Sequence, residues 1–426
     1  MRLLILLPFA PRRDATHGGA RVITQFLTEM TSRHRVAVLY FREASEPGAD
    51  SFFHQRCELL EEVVRPASHK HVRGLLARYF RLIISLFMLR PLWVSDWVSL
   101  VFAERARLLA RKFQPDIIQA EFHVMGQYFS SLKDIRAPRV LVEYEPSARA
   151  GLYIQNLPSI LHSLVETIEK ISWRRYERRT YRQVDALVAF TEADSKSLAE
   201  TAGRTPIHII SPGTFIPQAP LNPLGEEPLS LLFVGNFYHP PNADAARRLA
   251  FSIFPAVHRR FPEAKLFILG ENPPADLKRL HGEHILVPGR VPDLTPYLDR
   301  AAILVAPVYL GGGMRIKVLE SLAAGKAIVT TALAAEGLDV RDGEHLVLAR
   351  TDEEFIQRTL HLLENAEERL AIARRARAWA CEHIGWDRSI ARYEIMYREL
   401  LSNSSASGLK NGVPVNAGVV ADVEAP

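Results

Sequence analysis

Two series of short, almost wholly apolar segments, each alternating with helical stretches, limit what this chain can fold into. Residues 2–7 (RLLILL) and 35–41 (RVAVLYF) flank residues 20–32, where Val22, Phe26, Leu27 and Met30 share one helical face. Further short strands are expected at 117–119, 140–143, 186–190 and 207–210, and a long helix at 160–182. Strands that are apolar on both faces and separated by helices belong to a parallel sheet covered on both sides. Residues 212–228, with Pro217, Pro220 and Pro223 inside them, read as a linker. The alternation then restarts, with strands at 229–234, 265–269, 303–306 and 327–330. Helices are expected at 242–260, kinked at Pro255, and at 314–324, 352–383 and 386–401. The segment 402–426 is polar, offers no core and is expected to be disordered. The expectation is an α/β chain with one domain over 1–216, a second over 217–385, a terminal helix over 386–401 and a tail over 402–426.

Length and composition agree with two domains, since the chain has 426 residues, 48% hydrophobic and 24% charged. Two cysteines, Cys57 and Cys381, are too few for a disulfide framework and fit a reducing, cytoplasmic setting. A net charge of +5 points to acidic partners. The run 82–89 is interrupted by Ser85 and bounded by Arg81 and Arg90, far from the roughly 20 apolar residues a membrane span needs. The apolar N-terminus reads as a buried strand in preference to a signal peptide. Residues 65–113 interleave many Arg and Lys with Tyr79, Phe80, Phe87, Trp93, Trp97 and Phe102. That pattern suits an anionic membrane surface, or equally an amphipathic helix pair with Arg side chains lying over the core. No nucleic-acid-binding module is recognisable, so nucleic acid is not an expected partner.

The chemistry concentrates in 305–320, VAPVYLGGGMRIKVLE. A buried strand runs into Gly311, Gly312 and Gly313, which open a helix. Free N–H groups at a helix N-terminus attract anions, and glycines let a phosphate approach the backbone. Arg315 and Lys317 add positive charge where the helix dipole disfavours it, a conflict that a bound anion relieves. Glu320, about two turns beyond the glycines, is placed to accept hydrogen bonds from a ribose diol.

This segment resembles the donor-binding region of retaining glycosyltransferases of the GT-B fold, family 4. Supporting segments are Phe233-Val234-Gly235-Asn236-Phe237, Pro288-Gly289-Arg290-Val291-Pro292-Asp293, Glu320-Ser321-Leu322-Ala323-Ala324-Gly325-Lys326 and Ala334-Ala335-Glu336-Gly337-Leu338, in the family's order. The resemblance covers nearly all of the chain to about residue 401. It implies two Rossmann-like domains facing a central cleft, the second holding a nucleotide diphosphate sugar and the first holding the acceptor, with the last helix returning to the first domain. Glu320 would bind the ribose. Arg315 and Lys317 would face the diphosphate. The backbone at Arg290 and Val291 would border the base, and Gly18 and Gly19 would let the first loop approach the phosphates. Gly235 and Asn236 would also border the donor.

The chain departs from the family pattern in three places. Of the family's two glutamates seven residues apart, the first falls on Gly312. The Arg and Lys that many members carry after the second domain's first strand are missing around Gly235 and Asn236, which leaves diphosphate neutralisation to Arg315 and Lys317. A Glu-His-Asp motif becomes Glu143-Tyr144-Glu145, so Tyr144 stands where a histidine would touch the sugar, with His123 as a substitute and Glu121 as a further cleft candidate. With no Asp-x-Asp motif, a metal is not expected, and no cofactor beyond the donor is implied. The implied activity is transfer of a sugar, with retention, to a glycan or lipid-linked acceptor in cell-surface polysaccharide synthesis, by a cytoplasmic enzyme that touches the inner face of the membrane. The alternatives are a non-catalytic nucleotide-sugar-binding protein and a GT-B nucleotide-sugar epimerase.

Overall fold

The structure is a computed structural model that describes residues 1–15, 18–65, 85, 87–144, 146, 159–310 and 316–410. The first half is a seven-stranded parallel sheet: β1 (Arg2–Leu7), β2 (Arg35–Glu43), β3 (Leu59–Arg65), β4 (Ile117–Glu121), β5 (Arg139–Val142), β6 (Ala186–Ala189) and β7 (Ile207–Ile209), in the order 3-2-1-4-5-6-7. The second half is a six-stranded parallel sheet: β8 (Glu227–Val234), β9 (Lys265–Leu269), β10 (Ile285–Gly289), β11 (Ala301–Ala306), β12 (Ala327–Thr330) and β13 (Val347–Leu348), in the order 10-9-8-11-12-13. Both halves thus repeat one wiring, and in both the strand order reverses beside the first strand. At that point the loops leaving neighbouring strands diverge and a crevice opens at the strands' carboxyl ends.

The alternation of β1 shows how the first sheet is filled. Leu3, Ile5 and Leu7 pack with Val22, Ile23, Phe26 and Leu27 of α1 (Gly18–Arg33). Leu4 and Leu6 face the opposite layer, with Phe102, Leu109 and Phe113 of α2 (Leu100–Phe113). Each such side chain contributes roughly 1.5–3 kcal/mol on leaving water. The layer also receives α3 (Ser159–Tyr181), through Trp173 and Tyr181.

In the second half, helix α4 (Pro240–Arg248) continues through a π-turn, Leu249–Ile253, into a helical segment Phe254–Arg260. The kink expected at Pro255 takes this form: Pro255 has no N–H to give, and the Phe254 amide bonds back to the Leu249 carbonyl. The helices expected across 352–383 are two, Asp352–Glu364 and Ala366–His383, which meet at Asn365. Helix α5 (Ile316–Ala324) follows β11.

The last helix, α6 (Trp386–Lys410), lies on the first sheet. Trp386, Ile390, Tyr393, Tyr397 and Leu400 form one stripe and join the core around α1. Phe26 meets Trp386 and Tyr393 through ring contacts, and the Trp386 indole donates to Gln25 Oε1 at 2.7 Å. The expected tail over 402–426 needs correcting in part. Residues 402–410 continue the helix, while 411–426 lie outside the described residues. The chain crosses between halves at two points that touch, where the Thr214 amide donates to the Ile384 carbonyl at 2.8 Å. A Cβ on Gly213 would lie 2.6 Å from Trp386 Cα, so only glycine fits this crossing.

Among the described residues, no helix is long and apolar enough to cross a membrane. Within the basic stretch 65–113, residues 66–84 and 86 lie outside the described residues. In the part described, Arg65 lies 3.9 Å over the Trp97 ring and donates to the Asp96 carbonyl, Arg90 donates to Gln127, and Arg107 and Arg111 share Asp134. Those cations brace the fold. Phe87, Met88, Leu100 and Val101 are exposed.

Candidate active site

The carboxyl ends of the two sheets face each other. Gly18 and Gly19, beyond β1, open α1, and a Cβ on Gly18 would sit 3.5 Å from Ile316, the first residue of α5. The N-terminal turns of α1 and α5 therefore touch across the cleft. Gly311, Gly312, Gly313 and Arg315 lie outside the described residues.

Glu320 projects from α5 into this junction and is largely buried. It meets Arg21, in the first turn of α1: Arg21 Nη1 donates to Glu320 Oε2 at 3.0 Å, and Nη2 lies against Oε1. Burial pushes the Glu320 carboxyl above its ordinary value, with Arg21 and then Lys317 pulling it partly back. The sequence reading missed Arg21. Its signal was a cation in the first turn of a helix opened by two glycines, the same pattern that picked out Arg315 and Lys317. A second bridge joins the halves where Arg290 Nη2 donates to the Asp14 carbonyl at 2.9 Å, and Asp14 is also held by Arg12. Val291 packs against the second core beside it.

Lys317 turns towards the end of β8. Its Nζ donates to Asn242 Oδ1 at 2.6 Å and stands 4.5 Å over the Phe233 ring. Asn242 in turn donates to the Asn236 carbonyl at 2.8 Å, and the Asn236 side chain accepts the Tyr238 amide. Gly235 is pinned under this arrangement, since a Cβ there would be 2.9 Å from Asn242 Cγ. Gly270, beyond β9, has φ of 142°, and a Cβ on it would fall 1.7 Å from the Gly235 carbonyl oxygen. Glycine alone lets the ends of β8 and β9 approach so closely. The structure therefore gathers Gly235, Asn236, Lys317 and Glu320 from the second half, and Gly18 and Gly19 from the first, around one crevice.

The residues beyond β4 and β5 behave differently. His123 is buried, edge-on to Trp93 at 4.5 Å and to Trp173 at 5.1 Å, with Nδ1 4.0 Å from Glu143. Tyr144 is also buried, and its hydroxyl donates to Glu121 Oε2 at 2.9 Å, pointing into the protein. Neither side chain points its polar atoms into the cleft as the sequence reading expected: the aromatic cluster encloses His123, and Tyr144 turns its hydroxyl inward while its ring edge would lie 3.6 Å from a Cβ on Gly19. Glu121 lies at the centre of a buried network. Gln119 Nε2 donates to its Oε1 at 2.6 Å, and Gln119 Oε1 accepts the Tyr397 hydroxyl of α6 at 2.5 Å. Burial pushes the Glu121 carboxyl up to about 7, although both hydrogen bonds work against the shift.

Phe122 takes the place expected for these residues. Its φ is 69°, a backbone conformation uncommon outside glycine, and it is only partly buried. Its ring stacks on Tyr144 at 3.9 Å and meets Phe9 edge-on at 5.6 Å. A Cβ on Gly19 would lie 2.6 Å from Phe122 Cζ, so this ring forms the wall of the cleft beside α1. Among the described residues no group of His, Cys, Asp and Glu is arranged to hold a metal ion.

Comparison with known proteins agrees with this geometry. The model of the family described as Glycosyltransferase Family 4 matches residues 16–214, and that described as Glycosyl transferases group 1 matches residues 228–365. Three solved structures are similar over nearly their whole lengths. Sucrose-phosphate synthase from Thermosynechococcus elongatus is 14% identical, with a TM-score of 0.65 over 95% of this chain and 100% of that one. Anabaena HepE in complex with UDP is 13% identical, with a TM-score of 0.59 over 94% and 100%. A glycosyltransferase from Rickettsia africae is 11% identical, with a TM-score of 0.58 over 94% and 99%. A Klebsiella pneumoniae relative described as an uncharacterized 44.6 kDa protein in the cps region is 24% identical over 145 residues, or 32% of this chain. The match spans 37% of that relative's length.

Proposed function

Because this chain is a family 4 glycosyltransferase of the GT-B fold, we propose that it moves a sugar, with retention, from a nucleotide diphosphate sugar to a glycan or lipid-linked acceptor in cell-surface polysaccharide synthesis. The observation that carries this reading is the junction of two helix N-termini, α1 and α5, with Glu320 beside it and Lys317 one turn away. Such a junction suits a diphosphate, and the carboxylate suits the adjoining ribose. Support for a uridine nucleotide comes from HepE, which was solved with UDP, and support for the polysaccharide setting comes from the cps-region relative.

The transfer needs little covalent machinery. Positive charge develops at the anomeric carbon as the diphosphate leaves, and cations aimed at the phosphates stabilise that departure. Arg315 and Lys317 take this role. In the retaining course, the acceptor hydroxyl attacks from the face the diphosphate leaves. Its proton passes to the departing phosphate oxygen, so no side-chain base is required. That course suits a site where His123 and Tyr144 are turned inward. Phe122 offers the acceptor an apolar wall.

Glu320→Gln should weaken donor binding about tenfold while leaving the fold intact, because a hydrogen bond to a charged group is worth roughly 1.5–3 kcal/mol and the amide keeps part of it. A thermal-shift series over nucleotide sugars measures this, since a ligand at 100 times its Kd adds about 2.7 kcal/mol to stability. Equal shifts for both proteins would remove Glu320 from the ribose.

The proposed setting is the cytoplasmic face of a membrane, with the basic stretch and the exposed Phe87, Met88, Leu100 and Val101 at the lipid surface. Flotation with anionic vesicles should fall as salt rises, and fall again in Phe87→Ser with Leu100→Ser. Equal flotation with neutral vesicles would dismiss the electrostatic part.

A further inference from the structure

The pair between Arg21 and Glu320 sits where two proposed requirements compete. Glu320 has both carboxylate oxygens against one guanidinium, from a residue 299 positions away in the chain. If the carboxylate is to receive a ribose diol, that guanidinium has to give ground. Hydroxyls are neutral, so the exchange would strand Arg21 as a partly buried cation at the positive end of α1, whose first turn holds no acidic residue. A nucleoside alone makes this exchange unfavourable. A nucleoside diphosphate does not, because it brings its own anion to the same junction.

We propose that Arg21 is a donor-phosphate-binding residue, paired with Glu320 until the donor binds and transferred to the diphosphate when the ribose displaces it. The inference rests on the reading of Glu320 as the ribose carboxylate. Three observations support it. Arg21 lies two residues past Gly19, in the first turn of α1, at the positive end of the helix dipole. Gly18 touches the first residue of α5, so an anion held between the two helix starts is within reach of a side chain of arginine length. The planar guanidinium that now grips a carboxylate with two nitrogens can grip a phosphate in the same manner. Through this swap the first half supplies a cation, and its α1 is drawn towards the donor held by the second half. The site then discriminates for the diphosphate over the nucleoside beyond what phosphate contacts in the second half alone would give.

The test is titration calorimetry on the full chain, with uridine and UDP as probes and the adenosine and guanosine pairs run in parallel. It compares wild type, Arg21→Ala, Arg21→Lys and Glu320→Gln. Arg21→Ala should weaken UDP, or whichever diphosphate binds, by at least about tenfold, and leave the matching nucleoside unchanged or bound a fewfold more tightly. Arg21→Lys should restore part of the diphosphate affinity, and it keeps the cross-cleft charge should alanine loosen the fold. If nucleoside and diphosphate change by the same factor in Arg21→Ala, Arg21 is a latch between the halves and the proposal fails. If Glu320→Gln leaves nucleoside affinity at the wild-type value, the ribose assignment fails on its own, whatever Arg21 does. If none of the three diphosphates binds wild type, both are overturned.

Discussion

Replacing Lys317 by alanine is expected to slow turnover by about tenfold to a hundredfold. A charge-assisted hydrogen bond to a phosphate is worth roughly 1.5–3 kcal/mol, and each 1.36 kcal/mol in a barrier is tenfold in rate. The ammonium now rests on Asn242 and over the Phe233 ring, at the end of β8. This perch holds it beside α5 at the crevice, and phosphate oxygens are stronger acceptors than the amide of Asn242. The charge matters most as the diphosphate departs, so kcat should fall more than donor KM rises. Arg315→Ala should behave alike, and Arg315→Lys should recover only part, because an ammonium cannot reproduce a planar fork. Steady-state kinetics on each variant, with folding checked by thermal unfolding, decides the matter. Wild-type kcat/KM in both alanine variants would move the diphosphate contact elsewhere, with Arg21 the first residue to examine.

The central strands and the position of the cleft were legible in the sequence, while the edges and the cross-cleft contacts were not. Strands β1, β4, β8 and β11 are buried on both faces, so their apolar runs stand out. Strand β3 carries Glu61 and Glu62 in LLEEVVR and lies at the edge of its sheet, where one side meets solvent and the apolar signal fades. Strand β10 contains Pro288, which a central strand would not tolerate but an edge strand does, and β13 is two residues long. Sequence spacing cannot show that Arg21 meets Glu320 or that Arg290 meets Asp14, because those pairs exist only once two separately wound sheets face each other. The resemblance points to Tyr144 through the histidine position of the Glu-His-Asp motif, and His123 is the substitute because it follows the strand at 117–119. What the pattern could not supply was direction: the aromatic cluster of Trp93, Phe122 and Trp173 packs over them.

Between pH 4 and pH 8, wild type should lose about 3 kcal/mol of stability relative to the Glu121→Gln variant, by the usual 1.36 kcal/mol per pKa unit. The Glu121 carboxyl is raised to about 7 by burial, from an ordinary value near 4.5. In the window between those values the folded chain holds a proton that the unfolded chain has released. Stability therefore falls as pH rises through the window and levels off above about 7. Glutamine has no proton to lose and shows no such slope. Glu169, also raised to about 7 by burial, is present in both proteins and cancels in the comparison. Urea unfolding at pH 4, 6 and 8 measures the gap, and a gap that does not change with pH would mean that Glu121 ionises as it does in water. The effect reaches the cleft through contacts already described. Glu121 accepts the Tyr144 hydroxyl, Tyr144 stacks on Phe122, and Phe122 holds its uncommon backbone against Gly19. A carboxyl that titrates near neutrality beneath that stack makes the cleft wall sensitive to pH. In the kinetics, the acceptor KM of wild type should accordingly vary between pH 6 and 8 while that of Glu121→Gln stays flat.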